Sequence, residues 1–219
     1  TSSVSGVMSK TIFDEHVVNN AKTGGAAVLD DLTDCLNAHT SLYLGNVPPN
    51  VTGSSAYNTA VGLTALDAIT GGQMNSAFGT DALTSNTTGN KNNAFGYQAL
   101  KDNTAGKYCN AFGSLALTNN TTNYNCAFGT DALRRNVGGQ SNCAFGYESL
   151  SNTISNGHYN SAFGHQALDK NTNSNNNAFG YGALKVNTAS DNNAFGYQAL
   201  FSNTTGTNNN AFGYKALYT

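Results

Sequence analysis

The triplet Ala-Phe-Gly, followed three residues later by Ala-Leu, returns down this chain about every seventeen residues. The phenylalanines are Phe78, Phe95, Phe112, Phe128, Phe145, Phe163, Phe179, Phe195 and Phe212, and Val61 holds the same place in a first copy. Successive steps from Val61 are 17, 17, 17, 16, 17, 18, 16, 16 and 17 residues. A leucine stands five places after each: Leu66, Leu83, Leu100, Leu117, Leu133, Leu150, Leu168, Leu184, Leu200 and Leu217. Fixed self-similarity at this period means stacked structural repeats rather than an ordinary globular domain.

Numbering each copy from Phe as zero exposes the internal grammar. Asn stands at −3 in nine of ten copies, with Cys109 the exception; Ala at −1 and Gly at +1 occur in all ten. Ala holds +4 in nine, and Ser149 is the tenth. Asn at +8 and Thr at +9 each appear in seven of the nine copies long enough to contain them. Small, large, small around Phe reads as a short strand with Phe on one face. The Asn-Thr and Gly remainder, as in Asn86-Thr87-Thr88-Gly89, reads as a turn. A second strand is expected through Ala-Leu. The expected fold is therefore all-β: a parallel β-roll, or solenoid, of about 17-residue coils. Like residues lie over like residues, Asn at −3 forms an amide ladder, and ten coils make a rod about 50 Å long. Gly at +1 allows a sharp turn or a close approach of backbones.

Composition then narrows function. The chain is 39% hydrophobic and 10% charged, with 24 Gly and no Trp, so a thick core is not available. Such polarity by itself suggests disorder, but disorder does not hold Phe and Leu in register over ten copies. A net charge of −2 leaves no basic footprint for nucleic acid and no polybasic membrane patch. No apolar run approaches the ~20 residues of a membrane span, and no signal-peptide pattern opens the chain. Two large apolar side chains per coil are few. One apolar ladder is expected to fill the roll and the other to bury itself between chains, although the pattern does not say whether Phe or Leu faces inward.

Residues 1–40 lack the repeat and are expected to form an N-terminal attachment or capping segment. Val28, Leu29, Leu32 and Leu36 have the spacing of a short amphipathic helix, and residues 11–18 that of a strand. The repeat domain is expected over residues 41–219. Leu44-Gly45 lies 17 residues before Val61-Gly62, marking a degenerate first coil in which Pro48 and Pro49 replace Ala-Leu, as suits a cap. At the other end Leu217 completes its element two residues before Thr219, so a continuing chain or a covering partner is expected there.

Of four cysteines, Cys35 lies outside the repeats, Cys126 and Cys143 share the −2 register, and Cys109 at −3 should point to the opposite face. Stacked strands would hold Cys126 and Cys143 ~4.8 Å apart, within reach of a disulfide but with side chains running parallel. Small thiols in a polar column are the expectation. No Cys/His spacing suits zinc, and no metal or cofactor is expected.

The string Asn-x-Ala-Phe-Gly-x-x-Ala-Leu, as in Asn92 to Leu100 and Asn192 to Leu200, resembles the Asn-Ser-Val-Ala-Ile-Gly-x-x-Ser/Ala repeat of YadA-type trimeric autotransporter adhesin heads. It is also similar to repeats of bacteriophage and algal-virus fibre proteins. The resemblance covers residues 41–219. It implies a left-handed β-roll, three chains around one axis and a role in attachment. The period is longer than the adhesin's and Phe replaces its Ile, and residues 41–219 carry no neck, stalk or anchor. A viral or phage fibre, on a virion surface or otherwise extracellular, is therefore the leading expectation. Its partners would be two further copies, a base protein at the N-terminal end, and a host glycan or receptor.

No catalytic constellation emerges, and no enzyme is expected. His16, His39, His158 and His165 fall in unrelated registers, with His165 expected at the surface in place of Tyr at +2. Asp81 and Asp131 share +3 but sit three coils, ~14 Å, apart. The same column holds Gln98, Glu148, Gln166, Gln198 and Lys215, a solvated face. Tyr97, Tyr147, Tyr181, Tyr197 and Tyr214 occupy +2, and the last three form a stripe. Tyr181, Tyr197 and Tyr214 are candidates for a ligand-facing platform of an adhesin or carbohydrate-binding module. Packing between chains is the weightier reading. The Thr column at +9 raises ice binding as a lesser reading, interrupted by Val137 and Ile154. Glycosylation sequons begin at Asn50, Asn86, Asn119, Asn120 and Asn203.

Overall fold

The computed structural model describes residues 35–38, 40–45, 48–152 and 157–218. Among these residues twelve short strands form one sheet in chain order: β1 Cys35–Ala38, β2 Ser41–Leu44, β3 Thr59–Val61, β4 Ser76–Phe78, β5 Asn93–Phe95, β6 Asn110–Phe112, β7 Cys126–Phe128, β8 Cys143–Phe145, β9 Ser161–Phe163, β10 Asn177–Phe179, β11 Asn193–Phe195 and β12 Asn210–Phe212. From β2 onward every neighbouring pair is parallel, and each partner is the same repeat position one coil away. Leu44 pairs with Val61, so the degenerate coil stands in register with the rest. This is a parallel β-solenoid of about ten coils. Nine steps of about 4.8 Å carry it about 43 Å from Val61 to Phe212.

The expected second strand is absent from every described coil. Leu at +5 instead has φ between 49° and 54° in all ten copies, and the non-glycine residues at +3 are left-handed too, as in Asp81 at 59° and Gln98 at 57°. An extended strand does not pass through such residues; the segment is a run of turns. Its amides still bond between coils, with Leu100 N–H donating to the Ala116 carbonyl at 3.0 Å and Gln98 N–H to that of Thr80 at 3.0 Å. The left-handed conformation costs an L-residue roughly 1–2 kcal/mol. Burying a leucine side chain returns roughly 1.5–3 kcal/mol. The position therefore suits a side chain large enough to outweigh its own backbone strain.

That geometry turns Leu inward. Leu66 through Leu184 are fully buried, alongside the Ala residues at −1 and +4. In the first coil, where Pro48 and Pro49 leave no leucine, Tyr43 takes the interior place that Ala60 and its successors hold later, and it too is fully buried. Gly at +1 carries φ of 123–143° in the nine Phe-bearing coils. A Cβ on Gly129 would stand 2.6 Å from the Gly146 carbonyl oxygen, so backbone packing excludes a side chain as firmly as the dihedral does.

A buried polar ladder runs beside the leucines. The side-chain oxygen of each Asn at −3 accepts from the backbone N–H of its counterpart in the next coil, as Asn58 does from Asn75 at 2.9 Å. Its amide nitrogen donates across the coil, as Asn75 does to the Gly89 carbonyl at 2.9 Å. Ser41 starts the column by accepting from Asn58 N–H at 2.9 Å. Every side-chain amide nitrogen of this column thus has a partner where water reaches poorly, while off the column Asn136 Oδ1 is buried without one.

Leu36, read from sequence as part of a helix, lies in β1, which pairs antiparallel with β2; the other residues of that helix and the expected strand over 11–18 lie outside the described residues. Among the described residues the sheet thus includes Cys35–Ala38 as well as the repeats. Among the described residues no helix is long and apolar enough to cross a membrane.

Candidate functional site

Among the described residues the repeated chemistry open to a partner lies in outward-facing columns. On the strand face, −2 and 0 point out while Ala at −1 points in. The nine phenylalanines form an unbroken stack with centroids 4.6–5.0 Å apart and ring planes within 3–7° of parallel. Phe78 through Phe195 are half-buried by their neighbours alone; Phe212, on the last strand, is exposed. The result is a continuous apolar ridge along one side of the rod.

Beside it runs the −2 column. Where it holds Asn, the amides bridge adjacent coils: Asn93 Nδ2 donates to Asn110 Oδ1, Asn177 to Asn193 and Asn193 to Asn210, each at 2.8 Å. Cys126 and Cys143 are direct register partners in that column and are half-buried free thiols. The hydrogen bond between them lowers the pKa of Cys126 and raises that of Cys143. Cys109 faces the interior, as its register requires. It is fully buried, donates to the Thr122 carbonyl at 3.1 Å, and burial pushes its thiol up to about 11.

The +2 stripe is exposed and longer than the three tyrosines suggest. Tyr147, His165, Tyr181, Tyr197 and Tyr214 occupy five consecutive coils with centroids 5.1–5.4 Å apart. Each ring lies over the next, so neighbours cover the faces and the stripe shows water its edges and hydroxyls. A sugar ring stacks on an aromatic face; within the stripe those faces are taken. A second aromatic column escaped the sequence reading. Tyr57, Tyr108, Tyr124 and Tyr159 stand at −4, exposed, with Tyr108 stacked on Tyr124 at 5.2 Å and Lys91 Nζ 5.1 Å over the Tyr108 ring. Counting four places back from each Phe would have found it.

The +3 column binds itself together. Thr64 Oγ1 donates to Asp81 Oδ1 at 2.5 Å and Gln98 Nε2 to Asp81 Oδ2 at 3.1 Å, while Lys101 Nζ stands 3.8 Å away. Those partners, Thr64 first, hold the Asp81 carboxyl below the usual carboxylate range. Gln166 bridges Glu148 at 2.6 Å and Lys185 at 2.7 Å, and its donated bond lowers Glu148 likewise. Asp131 is occupied by Arg134 at 3.1 Å. Asp131 and Glu148 hold this place in adjacent coils, but among the described residues no three His, Cys, Asp or Glu side chains converge as a metal site would need.

The +9 hydroxyls of Thr70, Thr87, Thr121 and Thr188 each donate to a carbonyl of the following coil, so their protons are committed and only their lone pairs face water. Of the sequon asparagines, Asn86, Asn120 and Asn203 are buried, Asn119 is half-buried with its amide donating to Asp102 at 2.6 Å, and Asn50 is exposed. No protein-family model, curated protein or solved structure matches this chain.

Proposed function

We propose that this chain is part of a structural fibre: a stiff trimeric spacer, wound left-handed, that holds a binding tip or anchor away from a viral or phage particle. The supporting observation is the phenylalanine ridge. Nine stacked rings run the length of the rod on a face that one chain leaves half open. Apolar surface of that extent is where chains associate. Sister copies laid along it would bury it, and the regular rise of the coils would keep them in step. Residues 1–40 would join the fibre to a base protein.

Sedimentation or light scattering tests this directly. The expected particle has three times the 22.8 kDa chain mass. Phe128→Ser with Phe145→Ser and Phe163→Ser should release folded single chains. A wild-type monomer whose melt is independent of concentration would overturn the proposal.

The exposed +2 stripe favours a second reading, a surface adhesin whose columns contact a host polymer through hydroxyls and ring edges. A glycan array separates the two. A spacer leaves it blank, whereas an adhesin binds at least one glycan and loses it when Tyr181, Tyr197 and Tyr214 become Ser in an assembled protein.

A further inference from the structure

Where the −2 column holds asparagines, adjacent coils are joined through like side chains. Cys126 and Cys143 occupy two successive places of that column as register partners. On the same two strands the Phe128 and Phe145 rings are 4.6 Å apart, and that stack holds the strands at this rise. A disulfide would have to pull two parallel-pointing sulfurs to about 2.05 Å against it. Two metal–sulfur bonds of the ~2.3 Å length that thiolates make to zinc, placed in line, would span about 4.6 Å, which matches the separation of the stacked Phe128 and Phe145 rings on the same two strands. Asn110 precedes the thiols in the column and Ser161 follows. Both are hard oxygen or nitrogen donors, and among the described residues no third His, Cys, Asp or Glu converges on the pair. Two soft ligands without a third do not complete a tetrahedral zinc site. They do suit a soft cation such as Cu(I).

We propose that Cys126 and Cys143 form a two-thiolate site for a soft monovalent cation of the Cu(I) type, held in line between adjacent coils. Binding forms two copper–sulfur bonds and releases to solvent the protons that the thiols hold; copper stays Cu(I), and no electron is transferred. The cation would staple the two coils as the amide bridges do at the Asn–Asn steps of this column. Both ligands come from one chain, so the site does not depend on the proposed trimer.

The test is an anaerobic titration of the reduced full chain with Cu(I), in competition with a chromophoric Cu(I) chelator. Oligomer mass is measured on the same samples, so a failed trimer is seen separately. The expected result is one Cu(I) per chain, with two sulfur neighbours by X-ray absorption. Cys126→Ser and Cys143→Ser should each weaken binding by at least about 100-fold. Serine already occupies this column at Ser76 and Ser161, so these variants should keep the fold, as circular dichroism would check. Cys35→Ser and Cys109→Asn should leave binding unchanged. Failure to bind stoichiometrically, binding indifferent to Cys126 and Cys143, or a Cys126–Cys143 disulfide formed in air in the metal-free chain would each overturn the site.

Discussion

The side-chain oxygen of Asn75 accepts the backbone N–H of Asn92 from the next coil at 3.0 Å, and Asn92 repeats the service for Cys109 at 3.0 Å. This relay, rather than a wide apolar core, is what lets a polar chain close a dry interior. Removing one link should show its value. Asn92→Ala leaves the Cys109 N–H without its partner and removes one of the two amides, at 2.8 Å, that donate to the Gly106 carbonyl, the Asn103 amide at 3.1 Å remaining. The expected loss is about 1–3 kcal/mol in urea unfolding. Hydrogen exchange should accelerate first at the Cys109 amide.

Cys109 is the one place in the relay where a sulfur, not an amide oxygen, takes the next backbone N–H. All other steps from Asn58 to Asn209 supply a side-chain amide oxygen to it, whereas the Cys109 sulfur receives Asn125. Cys109→Asn replaces that weak acceptor by an amide oxygen and keeps a donor for the Thr122 carbonyl. The variant should gain about 0.5–1.5 kcal/mol, read as a higher urea midpoint. An unchanged or lower midpoint would mean that the shorter coil there has no room for an amide.

Gly129 and Gly213 share one repeat position but not one environment. A Cβ on Gly129 meets the Gly146 carbonyl oxygen at 2.6 Å, whereas one on Gly213 meets nothing within 4 Å. Gly129→Ala should cost more than about 3 kcal/mol, from overpacking and backbone strain together. Gly213→Ala should cost about 1–2 kcal/mol, from the positive φ alone. Thermal melts of the two variants make the comparison, and equal losses would show that close packing of coils is not what demands glycine.

Leu133 is fully buried at a φ of 51°. Leu133→Ala keeps the backbone strain and discards the burial that outweighs it, so a loss of about 2–5 kcal/mol is expected. Exposed Leu63 should tolerate the same change within about 0.5 kcal/mol. Denaturant melts of both report the difference.

Burial raises the Asp169 carboxyl above the usual range, even though Asn152 donates to it at 2.7 Å. The folded chain therefore keeps this proton to a higher pH than the unfolded chain. Asp169 costs stability in full above its folded pKa, and that cost vanishes as pH falls below the unfolded value. Asp169→Asn retains an acceptor for Asn152 and removes the charge. It should be at least as stable as the parent at about pH 7, with any advantage gone near about pH 3. Urea midpoints at the two pH values provide the check.

Much of this architecture was legible because spacing is itself structural information. The 17-residue return of Leu44 to Val61 and of Val61 to Phe78 anticipates their pairing in the sheet. The Asn column at −3 foretold an amide ladder, and the opposed registers of Cys109 and Cys126 foretold opposite faces. The second strand failed for an identifiable reason. Nothing in the letters Ala-Leu marks a turn, and no letter in the sequence reports the sign of φ at Leu133 or Asp131. The +2 stripe was visible as composition, but whether its rings offered faces or edges depended on their stacking one over another.

Residue order alone thus determined the period, the register and the identity of the columns, because stacked strands repeat whatever the chain repeats. Tertiary structure alone decided which apolar column is interior. Phe and Leu are equally hydrophobic letters at fixed offsets, and either could face inward. The choice falls to Leu because the left-handed turns at +3 and +5 are held by hydrogen bonds to the coils on either side, bonds that exist only once the coils are stacked.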